Sequence, residues 1–187
     1  MAVEALLRAG VDPNQRGYTG LSAMMAAGIS DGVEIMRALV NKGADVNLET
    51  PEGFTAFSNA VCRNSHRCVR FLLEHGVNHL QIAHSDGAGT LHYAAECGDV
   101  ETMKVLTANG LKGVTVLARD KEGKTARQRL QERADVDEVL REAFEELLEA
   151  ILVANQNAQY VVEEEDSGTD DEHQENSVFF DALEVQL

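Results

Sequence analysis

A glycine returns along this chain at an almost fixed interval: Gly10, Gly43, Gly76 and Gly110, spaced 33, 33 and 34 residues apart. A period of that length constrains the fold more than any composition does. One such unit is too small to bury its own apolar face, so copies must stack and share a continuous core. The interval between the glycines repeats as well. Each unit has a turn glycine (Gly20, Gly53, Gly87, Gly123), then a segment of small residues such as Ser22-Ala23-Met24-Met25-Ala26-Ala27 or Thr55-Ala56-Phe57-Ser58-Asn59-Ala60. An apolar segment follows, for example Val33 to Val40, with Val33, Met36, Leu39 and Val40 on one helical face. Alanines let the first helix approach its neighbours closely. Gly43, Gly76 and Gly110 are placed to end the second helix as left-handed caps. The expectation is an all-α solenoid of helix–turn–helix units joined by hairpin loops.

The units are 1–14 (the second half of a truncated repeat), 15–47, 48–80, 81–113, and a divergent capping unit over 114–158; residues 159–187 form an acidic, disordered tail. The chain thus opens mid-repeat, as a half-cap or as the remnant of a longer array, and the second is favoured. The third loop carries one extra residue near Asp86, and the last unit inserts three between Leu111 and Asp120. The last unit also places Arg127 and Gln128 where the others are apolar, which gives the stack a polar end. Its second helix carries a stripe of Val136, Leu140, Ala143, Phe144, Leu147, Leu148, Ile151 and Leu152, long enough to cover that end or to meet a partner helix, and Asn155 to Gln159 should close it.

Gly43-Ala44-Asp45-Val46-Asn47 and Thr90-Leu91-His92-Tyr93-Ala94-Ala95, set in this period, resemble the ankyrin repeat over about residues 1–150. The resemblance implies a non-enzymatic adaptor or scaffold whose partners are proteins. It implies that His92 ties the turn of its own repeat by hydrogen bonds. It also implies that partners lie on the hairpin tips and the inner helix face. Carried over by position, these are Tyr18, Leu21, Ile29, Phe54, Arg63 and Glu96, with Cys62, Ala88, Cys97, Lys124 and Arg133 at equivalent places. Tyr18, Leu21, Ile29 and Phe54 are apolar where the repeat geometry predicts exposure, and contiguous exposed apolar surface marks interaction sites. Leu21 and Phe54 could equally pack beside the next hairpin.

Charge and cysteine content exclude other classes. All 16 Lys and Arg lie at or before Arg141, whereas residues 142–187 hold 14 of the 32 acidic side chains. The body is near neutral and the C-terminal quarter is a polyanion, so nothing offers the basic stripe that nucleic acid requires. No apolar run approaches the ~18–20 residues of a membrane span, and the N-terminus lacks the pattern of a signal peptide. Three cysteines, Cys62, Cys68 and Cys97, suit a reducing compartment better than a disulfide framework. Five histidines fall between His66 and His92 among these cysteines, but no Cys-x-x-Cys or one-face histidine pair accompanies them, so no metal site is expected. No spacing supplies a Cys–His catalytic pair with an orienting acid, and Gly87-Ala88-Gly89 is no phosphate loop. No enzyme and no cofactor is expected.

Residues 163–175 are too acidic and too poor in apolar groups to fold. Ser167 and Thr169 each have an acid three residues on, as acidophilic kinases prefer. Then Phe179-Phe180-Asp181-Ala182-Leu183-Glu184 breaks the acidic run. It resembles the FFAT motif, two phenylalanines in an acidic tract, over 178–184, with Val178 where that family has Glu. The resemblance implies docking on a VAP-type protein of the endoplasmic reticulum. Phe179 would enter an apolar pocket, Asp181 and Glu184 would meet basic side chains, and Ala182 would fit a tight groove; Phe180 completes the aromatic pair. The same segment could fold as a short helix against the stack, or serve as an acidic–hydrophobic activation segment of a nuclear regulator. A cytoplasmic protein, peripheral at the endoplasmic reticulum, is the leading location and the nucleus the alternative.

Overall fold

The computed structural model describes residues 2–83 and 85–166, with side chains over 3–83 and 85–156. Those residues form nine helices: α1 (Ala2–Arg8), α2 (Ala23–Ile29), α3 (Val33–Val40), α4 (Ala56–Cys62), α5 (His66–Glu74), α6 (Thr90–Cys97), α7 (Val100–Asn109), α8 (Ala126–Glu132) and α9 (Glu138–Asp166). Among the described residues the only β pairing is three isolated bridges at hairpin bases, Arg16 with Ser22, Glu49 with Thr55 and Arg119 with Thr125. The expected all-α repeat fold is what forms.

The helices sort into two layers. In the inner layer α2, α4, α6 and α8 each pack on the next; in the outer layer α1, α3, α5, α7 and α9 do the same. One apolar cluster runs through the whole stack, from Leu7 to Ile151. The inner helices are short because each begins at a cap and ends at a tight turn. The hydroxyls of Ser22, Thr55 and Thr125 accept the backbone N–H three residues on, while the residue there bonds back to the cap N–H. In α6 the cap residue is Gly89, and the His92 ring Nδ1 accepts its N–H at 3.3 Å. Gly43, Gly76 and Gly110 close the outer helices with φ of 81°, 73° and 53°, as the spacing predicts.

Neighbouring units are tied by polar bonds that recur with the period. Asn14 Oδ1 accepts the N–H of Asp45 at 2.8 Å, and Asn47 Oδ1 accepts that of Asn78 at 2.6 Å. Between the layers, Asp31 and Asn64 take left-handed φ of 51° and 53°, a conformation that Asp and Asn tolerate best among non-glycine residues. Each then reaches the outer helix of the next unit. Asp31 accepts from the N–H of Cys68 at 3.1 Å; Asn64 accepts from the N–H of Asp99 at 2.9 Å and the hydroxyl of Thr102 at 2.8 Å. The extra residue of the third hairpin is visible too. Elsewhere the hairpin closes between residues four apart, as from Thr50 N–H to the Phe54 carbonyl, but here Ala83 N–H reaches Ala88.

The end of the stack departs from expectation in two ways. Rather than closing at Asn155 to Gln159, α9 continues to Asp166; that segment holds no glycine or proline to stop a helix. Asn155 instead clamps the inserted loop, accepting the N–H of Gly113 at 2.7 Å and donating to the Val114 carbonyl at 3.0 Å. The apolar stripe is also shorter at both ends. Leu140, Ala143, Phe144, Leu147, Leu148 and Ile151 are buried and Val136 packs from the preceding turn, but Leu152 faces solvent, because it sits one step round the helix from Ile151.

Candidate docking face

The accessible face of the inner layer changes character along the stack. In the first full unit Tyr18 at the hairpin tip is fully exposed, and Ala23, Ala26 and Ile29 are exposed along one side of α2. Gly28, on the opposite side, lets α2 close on the next unit; a Cβ there would lie 2.7 Å from the Ala56 carbonyl oxygen. Leu21 and Phe54 do not join this surface; of the two arrangements open to them, exposure or packing beside the next hairpin, they take the second. Both are half-buried against the core, and the Phe54 ring lies 6.1 Å from that of Tyr93, which fills the space beneath the neighbouring hairpin. Ala88 is buried as well. Arg63 and Glu96 are exposed at the ends of α4 and α6.

At the far end the face is an ion-pair network. Asp120, its side chain wholly buried, accepts from Arg129 Nε at 2.7 Å and from the N–H groups of Glu122 and Lys124 at 2.9 and 3.0 Å. Burial would raise its pKa, but the Lys124 N–H, the Arg129 guanidinium and the Glu122 N–H together hold it below the ordinary carboxylate value. Lys124 bridges Glu132 at 2.8 Å and Glu122 at 3.1 Å, and the hydrogen bonds to those two carboxylates raise its pKa. Arg133 donates to the carbonyls of Gly98 and Ala95 at 2.7 and 3.3 Å while pairing with Asp135. It thereby joins the last unit to the third.

The histidines turn out to be structural. His92 is buried; beyond the cap of its own helix, its Nε2 lies 3.1 Å from the Lys124 carbonyl, so it ties the next unit as well as its own turn. His66 pairs with Asp99 at 2.9 Å, His75 stacks on Phe71, and His79 bonds the Lys112 carbonyl at 2.9 Å. His84 lies outside the described residues. Among the described residues no group of three His, Cys, Asp or Glu side chains could hold a metal ion, and no helix is long and apolar enough to cross a membrane.

The family model described as Ankyrin repeats (3 copies) matches residues 1–83. Residues 1–83 are ankyrin repeats. Similar proteins include the E3 ubiquitin-protein ligase KEG of Arabidopsis thaliana, 29% identical over 69% of this chain and 8% of its own length. The probable E3 ubiquitin-protein ligase XBOS33 of Oryza sativa subsp. japonica is 33% identical over 58% of the chain and 22% of its own length. The ankyrin repeat and KH domain-containing protein mask-1 of Caenorhabditis elegans is 29% identical over 57% of the chain and 4% of its own length. The chain spans less than a quarter of each of these relatives. The ankyrin stack is a protein–protein interaction fold, with its catalytic-sounding relatives matched over only a small part of their length.

Cys62 and Cys97 close the neighbouring inner helices α4 and α6 as half-buried free thiols, thirty-five residues and close to one period apart. The tail residues that the sequence singles out, Ser167, Thr169, Phe179, Phe180, Asp181, Ala182 and Glu184, lie outside the described residues.

Proposed function

We propose that the ankyrin stack is an adaptor that grips a protein partner on its first full unit, through Tyr18, Ala23, Ala26 and Ile29, with Arg63 and Glu96 at the rim. The observation that carries this is the polarity gradient of the inner face. Toward the far end, Lys124, Arg129 and Arg133 are already paired within the chain, so a partner would have to displace those pairs. The near end exposes a whole aromatic side chain, Tyr18, in the same unit as exposed Ala23, Ala26 and Ile29, and buried aromatic anchors dominate protein interfaces. Proximity labelling with the wild-type chain and with Tyr18→Ser/Ile29→Asp tests it. Partners should be lost from the variant while its helical signal stays; an unchanged set of partners refutes the assignment.

The acidic tail adds a second contact in this proposal. The string Phe179-Phe180-Asp181-Ala182-Leu183-Glu184 behind an acidic flank supports recruitment of the adaptor, as a cytoplasmic protein, to the surface of the endoplasmic reticulum by a VAP-type domain. Acids steer the tail towards a basic partner and the aromatics supply buried area. Phosphorylation at Ser167 and Thr169 would deepen the charge. In a pull-down with a VAP-type domain, binding should weaken with rising salt and vanish in Phe180→Ala; equal retention by that variant discards the tail reading and leaves the stack reading intact.

A further inference from the structure

The outer layer carries a groove between α3 and α5 that neither stacking nor the inner face uses. It is an open cavity of about 220 Å³. Arg37 reaches it from α3, and Arg67 and Arg70 from α5. The sequence explains the gathering. Arg67 and Arg70 lie three residues apart and so share a side of α5, and Arg37 stands one period before Arg70. Val33 and Phe71, both buried, lie beneath them. The Arg37 guanidinium carbon is 5.5 Å from the centre of the Phe71 ring, a cation–π contact that holds it in place.

These cations are loosely matched. Glu34 serves two of them, at 3.8 Å from Arg37 Nε and 3.2 Å from Arg67 Nη2, and Arg70 meets Glu101 only at 3.9 Å. Glu74 is the other carboxylate lining the groove, so three guanidiniums face two carboxylates there. All three arginine side chains are more than half exposed, and exposed pairs of this kind contribute little and exchange readily. At the far end of the stack, by contrast, Lys124, Arg129 and Arg133 sit 2.8, 2.7 and 2.6 Å from their partners.

We infer that this groove is the docking site, in cis, of the chain's own acidic tail, with the carboxylates of Glu175, Asp181 and Glu184 seated on Arg37, Arg67 and Arg70.

Charge and reach name that occupant. Residues 167–187 carry six carboxylates and no Lys or Arg, and guanidiniums hold carboxylates through paired N–H donors. α9 packs on α7, α7 on α5 and α5 on α3. At about 8–10 Å per packed pair, the groove lies about 25 Å across the outer layer from α9. The eleven residues of α9 beyond Asn155 add about 16 Å along the helix axis. Glu175 to Glu184 stand about 30–60 Å of extended chain beyond Asp166, which spans that distance. The covalent link raises the effective concentration of the tail to about millimolar, so contacts this modest are populated. The seat takes the same segment as the VAP-type contact proposed above, so the two exclude each other, but the inference does not rest on that contact and is read on the chain alone.

The test uses the full chain and phenylglyoxal, which modifies accessible arginines, with mass spectrometry reading each site. Glu175→Gln/Asp181→Asn/Glu184→Gln should speed modification of Arg37, Arg67 and Arg70 by about threefold or more, the scale of a few exposed ion pairs. Arg8 and Arg141 should keep their rates. Raising the salt to about 1 M should abolish the difference between the two chains. A synthetic peptide of residues 167–187, added to the neutralised chain, should restore the protection. From the other side, Arg67→Gln/Arg70→Gln should speed cleavage after Glu175 and Glu184 by a glutamate-specific protease, and an unchanged helical signal confirms that each variant is folded. Equal arginine rates in the wild-type and neutralised chains would overturn the inference, as would an equal gain at Arg8 and Arg141. Protection that fades on dilution would overturn it too, because the groove would then hold the tail of a second copy.

Discussion

The ankyrin units before Gly110 and the unit after it solve the same problem differently. In the first region each unit is joined to the next by the period itself. Asn14 and Asn47 hand a carbonyl oxygen to the backbone one repeat later, and Asp31 and Asn64 do so from a left-handed turn. In the second region no further unit among the described residues receives such bonds. The chain inserts three residues and holds them with Asn155 from α9. It also buries Asp120 against Arg129 and lays a long helix over the outer layer. Repetition suffices where a neighbour is present; an end needs side chains particular to it, because the face it covers is apolar and the groups it leaves over are polar.

The largest test of this contrast is at α9. Phe144 is wholly buried there, and Phe144→Ala should cost about 3–5 kcal/mol. If the end cap folds as one body with the stack, denaturant unfolding will stay a single transition at a lower midpoint; early loss of α7–α9 alone would show that the cap is a separable unit. Next is Gly28→Ala. The added methyl meets the Ala56 carbonyl oxygen at 2.7 Å, and the overpacking should cost about 1–3 kcal/mol; a neutral effect would mean the repeats can slide apart without penalty.

Asp120→Asn sharpens the electrostatic half of the comparison. It removes a charge-assisted bond to Arg129, worth about 1.5–3 kcal/mol. Because the folded protein holds Asp120 below its ordinary pKa, the carboxylate contributes stability above the unfolded value of about 4. That contribution is lost as pH falls through the lower folded value. Acid titration of the wild type should therefore show a stability loss that Asp120→Asn lacks; identical pH profiles would remove Asp120 from the account. The smallest effect is expected from the caps. Thr55→Ala, inside the stack, and Thr125→Ala, at its end, should each cost about 1 kcal/mol in thermal or denaturant unfolding, and a much larger loss at Thr125 would show the end unit to be the weak link.

Much of the stack was legible because its signals are local and repeat. The 33-residue spacing places the left-handed Gly43, Gly76 and Gly110 by short-range geometry alone, and the extra residue near Asp86 appears as a longer hairpin. Exposure along the proposed face was legible only in part. Tyr18, Ile29, Arg63 and Glu96 are exposed as position implies, whereas Leu21 and Phe54 are drawn into the core by the adjacent hairpin. Whether an apolar side chain at a repeat edge faces water depends on its neighbour's bulk, here Tyr93 beside Phe54, which no single unit encodes.

The sequence by itself determined that this chain is a linear array of helical pairs, because a fixed period with an apolar face in every unit has no other way to exclude water. Only the tertiary structure decided that Asn155 clamps a loop instead of ending a helix and that His92 bridges two units. Those two facts concern residues about a repeat or more apart in sequence, and their meeting is fixed by how tightly one unit settles on the next.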